Sequence, residues 1–274
     1  MTRLPPPLLP RPRLLPSRLP PPYLPYLPSP YEKCDAKHDC DKATAAVALV
    51  AATAEVLAHP ELDEDMLAPW ERRRLAGIRV PGRRDDVVAA RLLLRLCASR
   101  VTGLPPREVG PAQRCPGCGQ DGHGRPYLPD RPGLGAAFSH ADGLAAAAVG
   151  PGPVGIDVEP LTRRPGPVSV LRRLLSEAEV DAARAAPDPG PALLRLWVRR
   201  EALFKAGRDD VRLAEWTDHH RAAVVALAGA GPWRDAGPAQ PLSPGPVPPS
   251  GRSGGRPSRC RSSPERSRPG PTAR

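Results

Sequence analysis

Proline has no backbone N–H and a fixed φ, so a stretch dense in it supplies neither sheet nor helix donors. The 41 prolines of this chain crowd its two ends. Residues 1–31, MTRLPPPLLPRPRLLPSRLPPPYLPYLPSPY, interleave Pro with Leu, Arg and Tyr, and the sequence from about 236 to 274 runs through Pro, Arg, Ser and Gly. Both segments are expected to be extended or disordered. That leaves about 200 residues to fold, enough for one or two domains with a real core.

Charge follows the same division. Of the formal +11, residues 1–31 hold +4 (Arg3, Arg11, Arg13, Arg18) and residues 236–274 hold +6 (seven Arg, one Glu), leaving +1 between. A nucleic-acid partner would therefore have to be held by the ends alone, and none is expected. No apolar run reaches 18 residues, and AAVALVAA at Ala45 to Ala52 is too short and too internal for a span or a signal peptide. A cytoplasmic protein without a membrane partner is expected. Six cysteines (Cys34, Cys40, Cys97, Cys115, Cys118, Cys260) in 274 residues do not make a disulfide scaffold.

Along the middle, the β-branched Val47 to Thr53 stretch reads as a strand. DEDMLAPWERRRLAGIRVPGRRDDVVAARLLLRLCASRVTG reads as two helices broken at Pro81-Gly82. The second runs from about Asp85 to Val101, with Val88, Leu92, Leu93, Leu96 and Cys97 on one face. RCPGCGQDGHGRPYLPDRPGLG reads as a Gly- and Pro-rich loop. AAFSHADGLAAAAVGPGPVGIDVEP reads as two strands joined at Gly150 to Gly152. A helical stretch follows, with Ser176 and Glu179 spaced as a capping box. PALLRLWVRREALFKAG is a helix of about four turns ending at Gly207, and WTDHHRAAVVALAGAG supplies a last strand. The order suggests an α+β fold, with no repeat.

Chemistry concentrates in two short segments. In VGIDVEP, strand alternation sends Ile156 and Val158 into one surface and sets Asp157 and Glu159 side by side on the other. Adjacent carboxylates repel unless water screens them or they share a cation, and a hard ion such as Mg2+ suits them. In the Pro191 to Ala206 helix, Trp197, Glu201 and Lys205 recur every four residues and share a face. By itself that spacing is an ordinary Glu–Lys helix pair. Beside the strand, Glu201 would add a third carboxylate and Lys205 a phosphate-binding ammonium.

These residues resemble the 4'-phosphopantetheinyl transferases of the Sfp type, in an actinobacterial-like form. GIDVE at Gly155 to Glu159 matches the family's G-[IV]-D-[VI]-E strand, and WVRREALFK at Trp197 to Lys205 matches its W-x-x-K-E-[AS]-x-x-K helix. HGRPYLP and FSHADG stand where the family has G-K-P and a strand beginning Ser-His, so the likeness covers about residues 45 to 230. It implies two pseudo-symmetric α/β lobes, at 34–136 and 137–235, flanked by a leader (1–33) and a tail (236–274). The active site would lie in the cleft between the lobes. It also implies Mg2+ held by Asp157, Glu159 and Glu201, with coenzyme A as substrate. Arg74, Arg91, Arg125, Pro126, Ser139, His140 and Lys205 would contact the coenzyme. Glu201 would take the proton of the acceptor serine and Lys205 would hold a phosphate. The activity implied is transfer of the phosphopantetheine arm to an acyl or peptidyl carrier protein, as in secondary-metabolite biosynthesis, by a monomer.

Two departures stand out, besides a cysteine-bearing loop that related transferases also resemble. Arg200 occupies the family's first helical lysine, where a guanidinium can act only electrostatically. The link from Lys205 to Trp216 is short, which would trim the strand and loop that many members place there. Cys115, Cys118 and His123 are half of a zinc pattern; since zinc takes four ligands, a turn with free thiols is the expectation. The rival readings are a catalytically inactive scaffold and a binding protein. The latter would use the PxxP-like leader and the Arg/Ser tail.

Overall fold

The computed structural model describes residues 46–234 apart from 116, 167, 173, 174 and 232. The leader, the CDAKHDC cluster at Cys34 to Cys40, the tail and Cys260 lie outside the described residues. The described residues form two sheets and six helices, an α+β fold as expected.

The first sheet has six strands. They are β1 (Ala46–Ala52), β2 (Ala112–Arg114), β3 (Asp121–Tyr127), β4 (Leu134–Ala141), β5 (Leu144–Pro151) and the short β9 (Trp233–Arg234), in the order β2-β3-β4-β5-β1-β9. All neighbours are antiparallel except β1 and β9. The second sheet holds β6 (Val154–Pro160), β7 (Arg212–Asp218) and β8 (Ala223–Gly229), antiparallel in the order β6-β8-β7.

Strand alternation stacks four layers. On one face of the first sheet, Val47, Leu49, Ala51, Ala145, Ala147 and Val149 pack against the helices α1 (Thr53–Leu57), α2 (Pro69–Leu75) and α3 (Pro81–Thr102). On its other face, Ala48, Val50, Ala146 and Ala148 meet Val154, Ile156, Val158, Val225 and Leu227 of the second sheet. The far side of that sheet, with Val224, Ala226 and Ala228, carries the helix α6 (Pro189–Ala206) through Leu194, Val198, Ala202 and Ala206. Helices α4 (Val168–Leu171) and α5 (Glu177–Arg184) complete the outside through Leu171, Val180 and Leu193. Covered on both faces, β5 reads LAAAAVGP without polar alternation, as a doubly buried strand should.

Several boundaries differ from the sequence reading. Pro81-Gly82 opens α3 rather than breaking it, because a proline at the first helical position forfeits no intrahelical bond. The stretch expected as a loop forms the β2–β3 hairpin, irregular at Gln113/Arg114 and with Gly122 and Gly124 at positive φ. Three strands, not two, fill residues 134–160. The unanticipated turn is Asp142-Gly143, where both residues have positive φ and Ala141 pairs with Leu144, the geometry of a two-residue hairpin. After α6 come β7, β8 and β9 rather than one strand, so the short link still holds a strand. Helix α5 has the expected capping box at Ser176 and Glu179, and α6 ends at Gly207 in the left-handed conformation.

Candidate active site

Asp157 and Glu159 stand where the alternation puts them. Ile156 and Val158 are fully buried between the sheets, while the two carboxylates point to the α6 side, only 4 % and 7 % exposed. Gly155 decides how close α6 comes. A β-carbon there would lie 1.9 Å from the Ala202 carbonyl oxygen and 2.5 Å from the Ala206 nitrogen. The helix backbone rests directly on the strand, and that contact brings its Glu201 and Lys205 up to the carboxylates.

Lys205 Nζ lies 2.6 Å from Asp157 Oδ1 and donates to Ser139 Oγ at 2.9 Å; the serine hydroxyl donates to the same Asp157 oxygen at 2.6 Å. Ser139 comes from β4, which lies against β6, so both sheets and α6 contribute to one polar knot. Asp157 Oδ2 and Glu159 Oε2 are buried without a hydrogen-bond partner. Arg163 Nε approaches that Glu159 oxygen at 3.2 Å, as an ion pair lacking hydrogen-bond geometry. Burial and the neighbouring Asp157 charge push the Glu159 carboxyl up to about 7. Burial and Asp157 also raise Glu201, against the pull of Lys205.

His140 follows Ser139 on β4 and is half-buried. Burial pulls its pKa down; Asp86 opposes this, while Lys205, Arg83 and Arg91 add to it. Burial and the three cations therefore disfavour a positive charge on the imidazole. Arg91 is 3 % exposed, bonded to Glu71 Oε1 at 2.8 Å and to Gln113 Oε1 at 3.3 Å, and lies over the rings of Trp70 and Phe138. Arg95 shares the same Glu71, so two guanidiniums meet one buried carboxylate and positive charge is in surplus. Arg74 bonds the Gly122 carbonyl of β3. Arg125 reaches the end of α6, its Nη2 3.3 Å from the Phe204 carbonyl oxygen and its guanidinium over Gly207. A cation is favourable at that negative end of the helix dipole. Pro126 lies beside it, paired with Gln113.

The structure therefore gathers Ser139, Asp157, Glu159, Glu201 and Lys205, with His140 adjoining. It brings Arg125 to the same helix end, and ties Arg91 and Arg74 into protein partners. Arg200 turns elsewhere, with Nη2 3.0 Å from both Glu179 oxygens on α5. Sequence reasoning passed over Arg83, Asp86 and Arg163. Asp86 accepts from Thr53 Oγ1 at 2.6 Å and from the Gly143 backbone at 3.1 Å, fixing the turn that follows His140. No spacing in the sequence signals these three.

A cation is tested by the donors present. Two buried carboxylate oxygens with no hydrogen-bond partner, beside a third carboxylate, form a hard-oxygen set that fits Mg2+. The Asp157, Glu159 and Glu201 oxygens are more loosely spaced than a closed ligand cluster. Among the described residues the one group of three Cys, His, Asp or Glu side chains with ligand atoms all within 4.8 Å is Cys115, Cys118 and His123. There the backbone N–H of Cys118, then that of Gly117, lowers the Cys115 thiol pKa. Among the described residues no helix is long and apolar enough to cross a membrane.

Over 116 residues the chain is 28% identical to the 4'-phosphopantetheinyl transferase of Bacillus subtilis, a match covering 42% of this chain and 48% of that protein. The chain thus spans about half the length of this curated relative. Residues 153–243 match the 4'-phosphopantetheinyl transferase superfamily, and the stretch that matches holds β6, α6 and the carboxylates between them.

Proposed function

We propose that this chain transfers the 4'-phosphopantetheine arm of coenzyme A to a serine of an acyl or peptidyl carrier protein, acting in the cytoplasm as a monomer. The observation that carries the reading is the pair Asp157 and Glu159, each with a buried carboxylate oxygen that has no hydrogen-bond partner, facing Glu201 and Lys205. On this reading residues 34–136 and 137–235 form two pseudo-symmetric lobes, and the reaction takes place where β4, β6 and α6 meet.

Asp157, Glu159 and Glu201 would hold Mg2+, which supplies charge neutralisation on the pyrophosphate of the coenzyme. Lys205 and Arg125 provide positive charge from α6 and from its C-terminal end. His140 donates a hydrogen bond from its ring N–H to a phosphate oxygen. The serine oxygen forms a bond to the β-phosphorus while the bond from that phosphorus to the bridging oxygen breaks. Adenosine 3',5'-bisphosphate leaves with the bridging oxygen. The serine proton passes to Glu201, whose raised pKa brings a carboxylate closer to the working range of a base near neutrality. Placing the two substrates and neutralising charge account for most of the rate, as in other phosphoryl transfers.

The test is the mass gain of a purified carrier protein incubated with coenzyme A and Mg2+. Asp157→Asn and Glu201→Gln should each slow transfer by at least about 100-fold, the scale of one lost electrostatic or proton-transfer contribution. A folded protein that modifies none of several carriers, or variants that transfer at the parent rate, would overturn the assignment.

A further inference from the structure

The β2–β3 hairpin carries a cluster that the transferase chemistry does not use. Cys115, Cys118 and His123 each place a ligand atom within 4.8 Å of the others, and Cys118 Sγ is 3.3 Å from His123 Nε2. The backbone around them is a tight turn. Cys115 N donates to Gln120 O at 2.9 Å, Gly119 N donates to Cys115 O at 2.8 Å, and Gly119 turns the chain at φ +69°. The N–H groups of Cys118 and Gly117 donate to the Cys115 sulfur, so the sulfur nearer the sheet already sits in a cradle suited to a thiolate. Cys118 is exposed and Cys115 half-buried, which leaves a path for an ion.

Two sulfurs and an imidazole discriminate sharply between cations. Magnesium prefers oxygen donors and full octahedral hydration, whereas zinc takes Cys and His in tetrahedral sites. We propose that Cys115, Cys118 and His123 bind one zinc ion, with water in the fourth position, and that the ion staples the β2–β3 turn. The staple has a structural consequence. His123 lies on β3 two residues before Arg125, whose guanidinium docks on the end of α6, and next to Gly122, whose carbonyl accepts from Arg74. Fixing the start of β3 fixes the strand that spans from α2 to α6. Binding releases the two thiol protons to solvent and changes no oxidation state.

The test uses the full chain and needs no carrier protein. Elemental analysis after gel filtration in metal-free buffer should find about one zinc per chain, falling at least tenfold in Cys118→Ser. Cobalt added to protein stripped of metal should give a sulfur-to-metal charge-transfer band that Cys118→Ser and His123→Ala weaken or lose. Should either variant fold poorly, alkylation of the parent protein gives the answer: zinc should slow modification of Cys115 and Cys118 at least tenfold. The proposal is overturned by a parent protein with no zinc and no cobalt band, by variants with undiminished metal, or by alkylation indifferent to zinc. Loss of transfer activity bears on the carboxylate site and leaves this result untouched.

Discussion

Asp157 and Glu159 cannot turn away from each other, because the residues between and beside them, Ile156 and Val158, are locked in the inter-sheet core. Lys205 pairs directly with Asp157, whereas Glu159 keeps a buried oxygen with no hydrogen-bond partner and a carboxyl pKa pushed up to about 7 from 4.5. The sign of the consequence follows from linkage. A carboxyl that binds its proton more tightly when folded contributes stability in full below about pH 4.5, and that contribution is lost as pH rises through about 7. Without added metal, melting temperature should therefore decline across that window more steeply in the parent than in Glu159→Gln. The difference should amount to about 3 kcal/mol at pH 8. Subtracting the variant's profile removes the contributions of Glu201 and His140, which also shift. Added Mg2+ should raise the parent's melting temperature at pH 8 and much less at pH 5, since the cation requires the ionised carboxylates. Parallel profiles for the two proteins would mean that Glu159 is solvated rather than held against Asp157.

At the scale of elements, the site depends on how closely one helix lies on one strand. Gly155 has no side chain where the backbone of α6 touches β6, and the atoms a β-carbon would strike are a carbonyl oxygen and an amide nitrogen that cannot swing aside. Gly155→Ala should push α6 outward, cost about 1–3 kcal/mol by overpacking, and reduce transfer more than the stability loss explains, because Glu201 and Lys205 move with the helix. Thermal melts and transfer assays run well below the variant's melting temperature would separate the two effects. A variant with parental melting and parental transfer would show that Gly155 does not set the helix position. This level also shows what the sequence made legible. The carboxylate face of β6 and the Glu201–Lys205 face of α6 follow from periodicity alone, and their adjacency from resemblance. The β2–β3 hairpin reads as a loop in sequence because Gly122 and Gly124 interrupt any alternation. The buried state of Arg91 was invisible because its partner, Glu71, lies 20 residues away on another helix and also caps that helix through the Ala68 N–H. Local pattern reveals faces; it does not reveal which buried charge meets which.

At the scale of the molecule, the four-layer core closes with residues from both ends of the described chain. Trp233 of β9 packs against the inter-sheet core, its ring 2.4 Å from where a β-carbon on Gly229 would stand, and β9 pairs with β1. The last described element is thus a strand just short of the Arg- and Pro-rich sequence. Charge draws the same line, since residues 1–31 and 236–274 carry all but +1 of the formal +11. A chain of residues 32–235 should keep the parent's melting temperature within a few degrees and its transfer rate within about twofold, because the fold and the carboxylate site lie inside it. Ending the chain at residue 230 should instead cost about 2 kcal/mol, the scale of removing a partly buried aromatic residue and its strand pairing, and expose one edge of β1. Comparing the two truncations by thermal melt and by carrier mass gain distinguishes a catalytic fold with appended ends from a protein that works through its ends. If removing residues 1–31 and 236–274 abolished the mass gain while the melt stayed intact, recognition of the carrier would have to reside in the appended charge rather than in the site between β4, β6 and α6.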